Sequence, residues 1–142
     1  MSEGNPTEGS AEPGGMKELI LGGARSGKSA YAQRRATASG LPVTVIVTGT
    51  AGDDEMAARI AHHRAARPAE WRVVEAPLEL AAALRAHAAP GRCLIVDCLT
   101  LWLMNLIDGD FVAERQALLD ALPGLPGEVL FVANEIGLGI VP

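Results

Sequence analysis

Gly22-Gly23-Ala24-Arg25-Ser26-Gly27-Lys28-Ser29 decides the fold. It stands between an apolar run, Lys17–Leu21 (K-E-L-I-L), and a stretch of helix formers from Ala30 to Ala38. It reads G-x-x-x-x-G-K-S, the pattern of a phosphate-binding loop that joins a strand to a helix. Glycine lets the backbone bend so that successive N–H groups surround phosphate oxygens with no Cβ in the way. Lys28 adds a point charge for the β- and γ-phosphates, and Ser29 offers a hydroxyl to Mg²⁺. The following helix points its positive end at the anion. A Gly-rich turn that merely precedes Lys-Ser is the bland alternative, and the strand and helix on either side count against it.

Working outward, the rest of the chain alternates in the same way. Strand candidates are Lys17–Leu21, Val43–Thr48, Arg72–Glu75, Arg92–Val96 and Glu128–Ala133. Helix candidates are Lys28–Ser39, Asp53–Ala66, Leu78–Ala88, Thr100–Ile107 and Phe111–Leu122, punctuated by Gly40, Pro42, Pro68, Pro90-Gly91 and Pro123–Gly127. Several strands are continuous β-branched or Leu runs, as in strands buried on both faces. The alternation predicts an α/β fold, a three-layer P-loop NTPase-type sandwich with a mostly parallel sheet. Met1 to Gly15 is Gly, Ser, Pro and Glu-rich and is expected to be a disordered extension, leaving residues 16–142 as one nucleotide-binding and transferase domain. The chain stops at Ile140-Val141-Pro142, just after a strand and a Gly-rich turn. Nothing follows to cover that last strand, so the domain is expected to be C-terminally incomplete.

Composition removes several function classes. The 142 residues carry a net charge of −5, which argues against a broad basic face for duplex nucleic acid. Aromatics are 4%, too few for a base-stacking platform. No segment approaches the roughly 18 apolar residues of a membrane span, and the N-terminus has neither the basic start nor the apolar stretch of a signal peptide. Cys93 and Cys98 match no zinc or redox spacing and read as reduced thiols of a cytoplasmic protein.

In open parallel sheets ligands bind at the carboxyl ends of the strands, so the residues there come next. They are Gly22–Ser29, Thr48-Gly49-Thr50, Glu75, Asp97 and Asn134-Glu135. Asp97 closes Cys93-Leu94-Ile95-Val96, and an acid ending an apolar strand is the usual partner of a phosphate-binding loop in holding Mg²⁺. Its bland alternative is the N-cap of the next helix. Asp53-Asp54-Glu55 opens a helix that carries Arg59, His62, His63, Arg64 and Arg67. Met56, Ile60 and His63 share one helix face, so His63 is expected to point inward and His62 to be solvated. A core histidine and a catalytic one both fit that placement. Trp71 and Trp102 read as packing residues, and the glycines of Asn134-Glu135-Ile136-Gly137-Leu138-Gly139 suit either close approach to a ligand or an ordinary loop.

These residues together resemble a known family, the bifunctional adenosylcobinamide kinase/adenosylcobinamide-phosphate guanylyltransferases of cobalamin biosynthesis. The resemblance is carried by G-G-A-R-S-G-K-S at 22–29, D-D-E-M-A-A-R-I-x-H-H at 53–63, R-P-x-x-W-R at 67–72 and N-E-I-G-L-G-I-V-P at 134–142. It implies two reactions in one nucleotide site. A nucleoside triphosphate, ATP or GTP, phosphorylates the aminopropanol hydroxyl of adenosylcobinamide. GTP then gives GMP to that phosphate by way of a histidine that carries GMP covalently, and the motif puts that role on His63. The resemblance also implies a homotrimer with the substrates as its only other partners, no nucleic acid among them.

Within that reading Lys28 and Asp97 join His63 as catalytic residues, and Ser29 and Asp97 hold Mg²⁺. Gly22, Gly23, Ala24, Arg25, Ser26, Gly27, Lys28 and Ser29 bind nucleotide, with Arg64 and Arg67 bracing phosphates and Thr48, Gly49, Thr50 and Glu75 contributing at strand ends. A neutral imidazole is a competent nucleophile at phosphorus near pH 7. Members of the family continue past Ile-Val-Pro with further helix and strand, and this chain does not. The rival readings are a small-molecule kinase without a covalent step and a GTP-binding module without catalysis.

Overall fold

In the computed structural model the described residues are 15–22, 27–49, 68, 70–107 and 109–134. The expected N-terminal extension up to residue 14, the helix expected over residues 53–66 and the Gly-rich stretch after Asn134 lie outside them. The elements run β1 (Met16–Gly22), α1 (Lys28–Ser39), β2 (Val43–Val47), β3 (Arg72–Glu75), α2 (Leu80–His87), β4 (Cys93–Asp97), α3 (Leu99–Asn105), α4 (Phe111–Ala121), a 3₁₀ turn (Leu122–Gly124) and β5 (Glu128–Asn134). The five strands form one sheet in the order β1-β5-β4-β2-β3. Every pairing is parallel.

Strand alternation divides the core in two. Val43, Val45, Val47, Cys93, Ile95, Leu130 and Val132 face α1 and meet its Ala32 and Ala36. Ile46, Leu94, Val96, Val129 and Phe131 face the other way and meet Leu80, Leu84, Trp102, Leu106 and Leu118 of the α2–α4 layer. Each such aliphatic side chain contributes about 1.5–3 kcal/mol of burial, which is why the three central strands tolerate so few polar residues. Thr44 is the buried exception, and its hydroxyl accepts a hydrogen bond from Arg92 at 3.2 Å.

The strand expected over Glu128–Ala133 runs to Asn134 and sits inside the sheet between β1 and β4, with residues 129–133 buried. Among the described strands β1 pairs with β5 alone, and Leu19 and Leu21 of β1 are 56% and 45% exposed. The Leu78–Ala88 helix begins at Leu80, and the Thr100–Ile107 helix spans Leu99–Asn105. Both shifts have a local cause: the carbonyls of Pro77 and Leu78 are taken by side chains of α3, and Cys98 caps α3 one residue earlier than expected.

At the end of the sheet remote from the phosphate-binding loop, Arg35 of α1 ties β1 to β5. Its Nε lies 3.2 Å from Glu18 Oε1 and its Nη1 3.6 Å from Glu128 Oε1. That Glu128 oxygen is buried and accepts no hydrogen bond, so the guanidinium is the charge that offsets its burial.

Candidate active site

Each strand ends at the same edge of the sheet, and the sequence has placed its chemistry there. Gly27 is the N-cap of α1 with φ +82°, a left-handed conformation in which an L side chain is strained. Its carbonyl accepts from Tyr31 N–H at 2.9 Å and closes the first helical turn. α1 then returns beneath the sheet and packs against β4 and β5, with Lys28 and Ser29 partly exposed at its start. β5 lies between β1 and β4, so Asp97 reaches the phosphate-binding corner across Asn134 rather than from the strand next to β1.

Asp97 is the last residue of β4, and Cys98 is the N-cap of α3. The Cys98 sulfur accepts the Leu101 N–H at 3.4 Å. The capping role that Asp97 was open to is therefore taken by its neighbour. Burial pushes the Cys98 thiol above its ordinary range, the Leu101 N–H and the Lys28 ammonium pull it down, and the Asp97 carboxylate pushes it up. Lys28 at the start of α1 and Asp97 at the end of β4 stand on the same edge of the sheet.

Thr48 leaves β2 at this edge and is fully buried. Its hydroxyl accepts from Cys98 N–H at 3.0 Å and donates to the Cys98 carbonyl at 2.8 Å, while its own N–H donates to the Asp97 carbonyl at 3.1 Å. The side chain expected to meet nucleotide is committed to holding β2 and β4 in register beside Asp97. Thr100 repeats the device one strand over: its hydroxyl accepts from Asn134 N–H at 2.8 Å and donates to the Asn134 carbonyl at 3.4 Å. Gly49 is buried beside Thr48, and Glu75 is exposed at the end of β3.

The structure therefore brings Gly22, Gly27, Lys28, Ser29, Thr48, Gly49, Glu75 and Asp97 to one sheet edge. Gly23, Ala24, Arg25, Ser26, Thr50, His63, Arg64 and Arg67 lie outside the described residues. Among the described residues no group of three or more His, Cys, Asp or Glu side chains could hold a metal ion. A hydroxyl and a carboxylate are nonetheless the donor chemistry that Mg²⁺ takes, since it is usually held by one or two protein oxygens and completed by substrate phosphates and water.

The sequence profile of the cobinamide kinase / cobinamide phosphate guanyltransferase family matches residues 18–142. The chain belongs to this family. The bifunctional adenosylcobalamin biosynthesis protein CobP of Pseudomonas aeruginosa is 60% identical to it over 131 residues, which span 89% of this chain and 76% of CobP. The bifunctional adenosylcobalamin biosynthesis proteins CobU of Escherichia coli and Salmonella typhimurium are each 39% identical over 144 and 145 residues, spanning 89% of this chain and 79% of theirs. The matched region of this cobinamide kinase / guanyltransferase chain contains the phosphate-binding loop, the His63 segment and every strand end described above.

Sequence reading missed three members of this edge. Asn105 lies in the helix expected over Thr100–Ile107 and carried no expected role, yet its amide donates to the Thr48 carbonyl at 2.9 Å and the Pro77 carbonyl at 3.0 Å. Trp102 is buried as expected, and its indole N–H also donates to the Leu78 carbonyl at 2.8 Å. Thr100 was expected only as the first residue of that helix. The available signal was an asparagine at i+3 from a tryptophan in an otherwise apolar helix, where an amide is costly unless both its N–H groups are used.

Proposed function

We propose that this chain phosphorylates the aminopropanol hydroxyl of adenosylcobinamide and then transfers GMP from GTP to the resulting phosphate, with loss of pyrophosphate. The observation that carries the reading is the placement of Lys28, at the start of α1, and Asp97, at the end of β4, on the same edge of a parallel sheet, in a chain that belongs to the cobinamide kinase / guanyltransferase family.

In the first reaction the hydroxyl oxygen attacks the γ-phosphorus of ATP or GTP, the bond to the β-phosphate oxygen breaks, and the hydroxyl proton is lost. In the second, a ring nitrogen of His63 attacks the α-phosphorus of GTP and pyrophosphate leaves. A phosphate oxygen of adenosylcobinamide phosphate then takes GMP from the imidazole. Splitting one transfer into two lowers each barrier. Lys28 and the backbone of residues 22–27 bind the triphosphate and offset charge on the leaving group, with Arg64 and Arg67 bracing the phosphates. Ser29 and Asp97 hold Mg²⁺, which supplies charge stabilisation at the phosphates when bound.

The chain is proposed to work as a homotrimer in the cytoplasm. Exposed Met104, Ile107 and Val112 about the turn between α3 and α4 offer apolar surface for self-association, and two free cysteines suit a reducing compartment. No helix among the described residues is long and apolar enough to cross a membrane.

The test is incubation with Mg²⁺ and GTP labelled at the α- or the γ-phosphate, then denaturing electrophoresis. Label from the α-phosphate that stays on the protein, is acid-labile and base-stable, and disappears in His63→Ala is the expected result. Label in the product from the γ-phosphate alone would leave a kinase without a covalent step. Bound nucleotide with no turnover would leave a binding module.

A further inference from the structure

Asp97 and Val132 are the last register pair between β4 and β5. β5 runs two residues further, to Asn134, which pairs on its other side with Gly22, the last residue of β1. Gly22 is also the first glycine of the phosphate-binding loop. At that height β4 has already turned, through Cys98, into α3. The backbone of Asn134 is met there by a side chain instead. The Thr100 hydroxyl accepts its N–H at 2.8 Å and donates to its carbonyl at 3.4 Å. A hydroxyl can serve an N–H and a carbonyl at once, so one side chain stands in for the strand that has ended.

This tie completes a short path across the sheet edge. Thr100 lies three residues after Asp97, in the first turn of α3. The Cys98 backbone between them is held on the β2 side by Thr48. Asn134 then leads from Thr100 to Gly22. Because β5 stands between β1 and β4, the spacing of Gly22 and Asp97 depends on how the last residue of β5 sits against each neighbour. On the β1 side the strand ladder holds it, and on the β4 side Thr100 does.

We infer that Thr100 is a positioning residue for the phosphate corner: by holding Asn134 it fixes the spacing between Asp97 and Gly22, where the phosphate-binding loop begins. This rests on the reading of Asp97 as a Mg²⁺ ligand. The hydroxyl is engaged with the Asn134 backbone, so Thr100 acts through that backbone and touches no substrate. The corner serves both transfers, and both depend on the tie.

Thr100→Val keeps the shape and removes the donor and the acceptor, whereas Thr100→Ser keeps both. Thr100→Ala is the second variant. It leaves room for water to take the Asn134 backbone groups while still removing the tie, and it decides the matter where Thr100→Val does not fold. Each is compared with the parent, with Asp97→Asn and with the double variant. The measurements are the Kd for GTP in Mg²⁺ and in EDTA, and kcat for phosphoryl and GMP transfer.

Folded Thr100→Val is expected to bind GTP about 10- to 100-fold more weakly in Mg²⁺, the scale on which groups that orient a metal ligand act, and near the parent value in EDTA. Both transfers should fall on the same scale, and Thr100→Ser should restore binding and turnover. In the Asp97→Asn background Thr100→Val should cost little more, because the acid it positions is already lost. Parent-like GTP binding in Mg²⁺ by folded Thr100→Val or Thr100→Ala, with Asp97→Asn impaired, overturns the inference alone. So does a full further loss in the double variant, which marks a structural role unconnected with Asp97. Parent-like Mg²⁺ dependence in Asp97→Asn instead overturns the reading of Asp97, and the inference about Thr100 falls with it.

Discussion

The Thr48 hydroxyl holds the Cys98 backbone at both of its polar groups, accepting from the N–H at 3.0 Å and donating to the carbonyl at 2.8 Å. Both strand exits are thereby locked at the edge where Asp97 stands. Thr48→Val conserves shape and removes both bonds, leaving buried polar groups unpaired. It is expected to cost about 1–3 kcal/mol in denaturant unfolding, whereas Thr48→Ser should stay close to the parent. Equal stability of Thr48→Val and the parent would show that the Cys98 backbone finds other partners.

Asp97→Asn tests the phosphate corner without removing a helix cap, because Cys98 caps α3. Loss of the carboxylate is expected to lower phosphoryl transfer and GMP transfer together, by about 100-fold or more, as when a group facing developing charge is removed. Added Mg²⁺ should recover part of the loss. The contrast is His63→Ala, which should lose GMP transfer and keep phosphoryl transfer. An Asp97→Asn protein with full activity in both reactions would take Asp97 out of the site.

Cys93 is fully buried in the α1-facing core, and burial pushes its thiol up from an ordinary value of 9.0 to about 11. Between those values the unfolded chain gives up the thiol proton while the folded protein keeps it. The folded state then binds more protons, so this group lowers stability as pH rises from about 9 to about 11. Cys98, also shifted upward, acts in the same direction. Unfolding midpoints from pH 8 upward should therefore fall less steeply for Cys93→Ala than for the parent, a difference on the order of 2–3 kcal/mol across the window. Parallel curves would mean that the Cys93 thiol does not contribute.

Gly127 has φ +78°, and a Cβ there would run into the carbonyl oxygens of Ala89 and Arg92. The same residue immediately precedes β5: its carbonyl accepts from Met16 N–H at 2.9 Å, and the Arg92 carbonyl accepts from Glu128 N–H at 3.0 Å. Gly127→Ala combines a strained backbone with a backbone clash and is expected to destabilise by more than 2 kcal/mol, near the top of the ordinary range for single substitutions. Gly40→Ala, at φ +73° with open space around it, should cost only the smaller conformational term of about 1 kcal/mol. Thermal unfolding of the two variants side by side reads the difference.

Much of this was legible in the chain. Glycine and lysine at fixed spacing, between an apolar run and a helix-forming one, specified the β1–α1 unit, and α1 spans Lys28–Ser39 as its pattern predicts. The alternation of runs specified a parallel α/β sheet, and apolar strands ending in Asp97 and Glu75 specified which edge carries chemistry. What failed was local competition for hydrogen bonds. The start of α2 moved because α3 claims the Pro77 and Leu78 carbonyls, and the cap of α3 fell to Cys98 rather than Asp97.

The sequence by itself determined the kinds of group available, because side-chain chemistry and short-range backbone preference travel with each residue. Lys28, Ser29 and Asp97 would read as a phosphate and cation site in any P-loop arrangement. Only the tertiary structure decided which strands are neighbours. It inserted β5 between β1 and β4, buried residues 129–133, and left Leu19 and Leu21 of β1 exposed. It also made Thr48, expected to meet nucleotide, and Thr100 and Asn105, which carried no expected role, into ties between strand ends. The reason is physical: strand order depends on pairings between distant segments, as of Met16 with Glu128, and the side-chain ties on contacts such as Trp102 with Leu78 and Asn105 with Thr48, 24 and 57 residues apart. No local preference encodes such contacts.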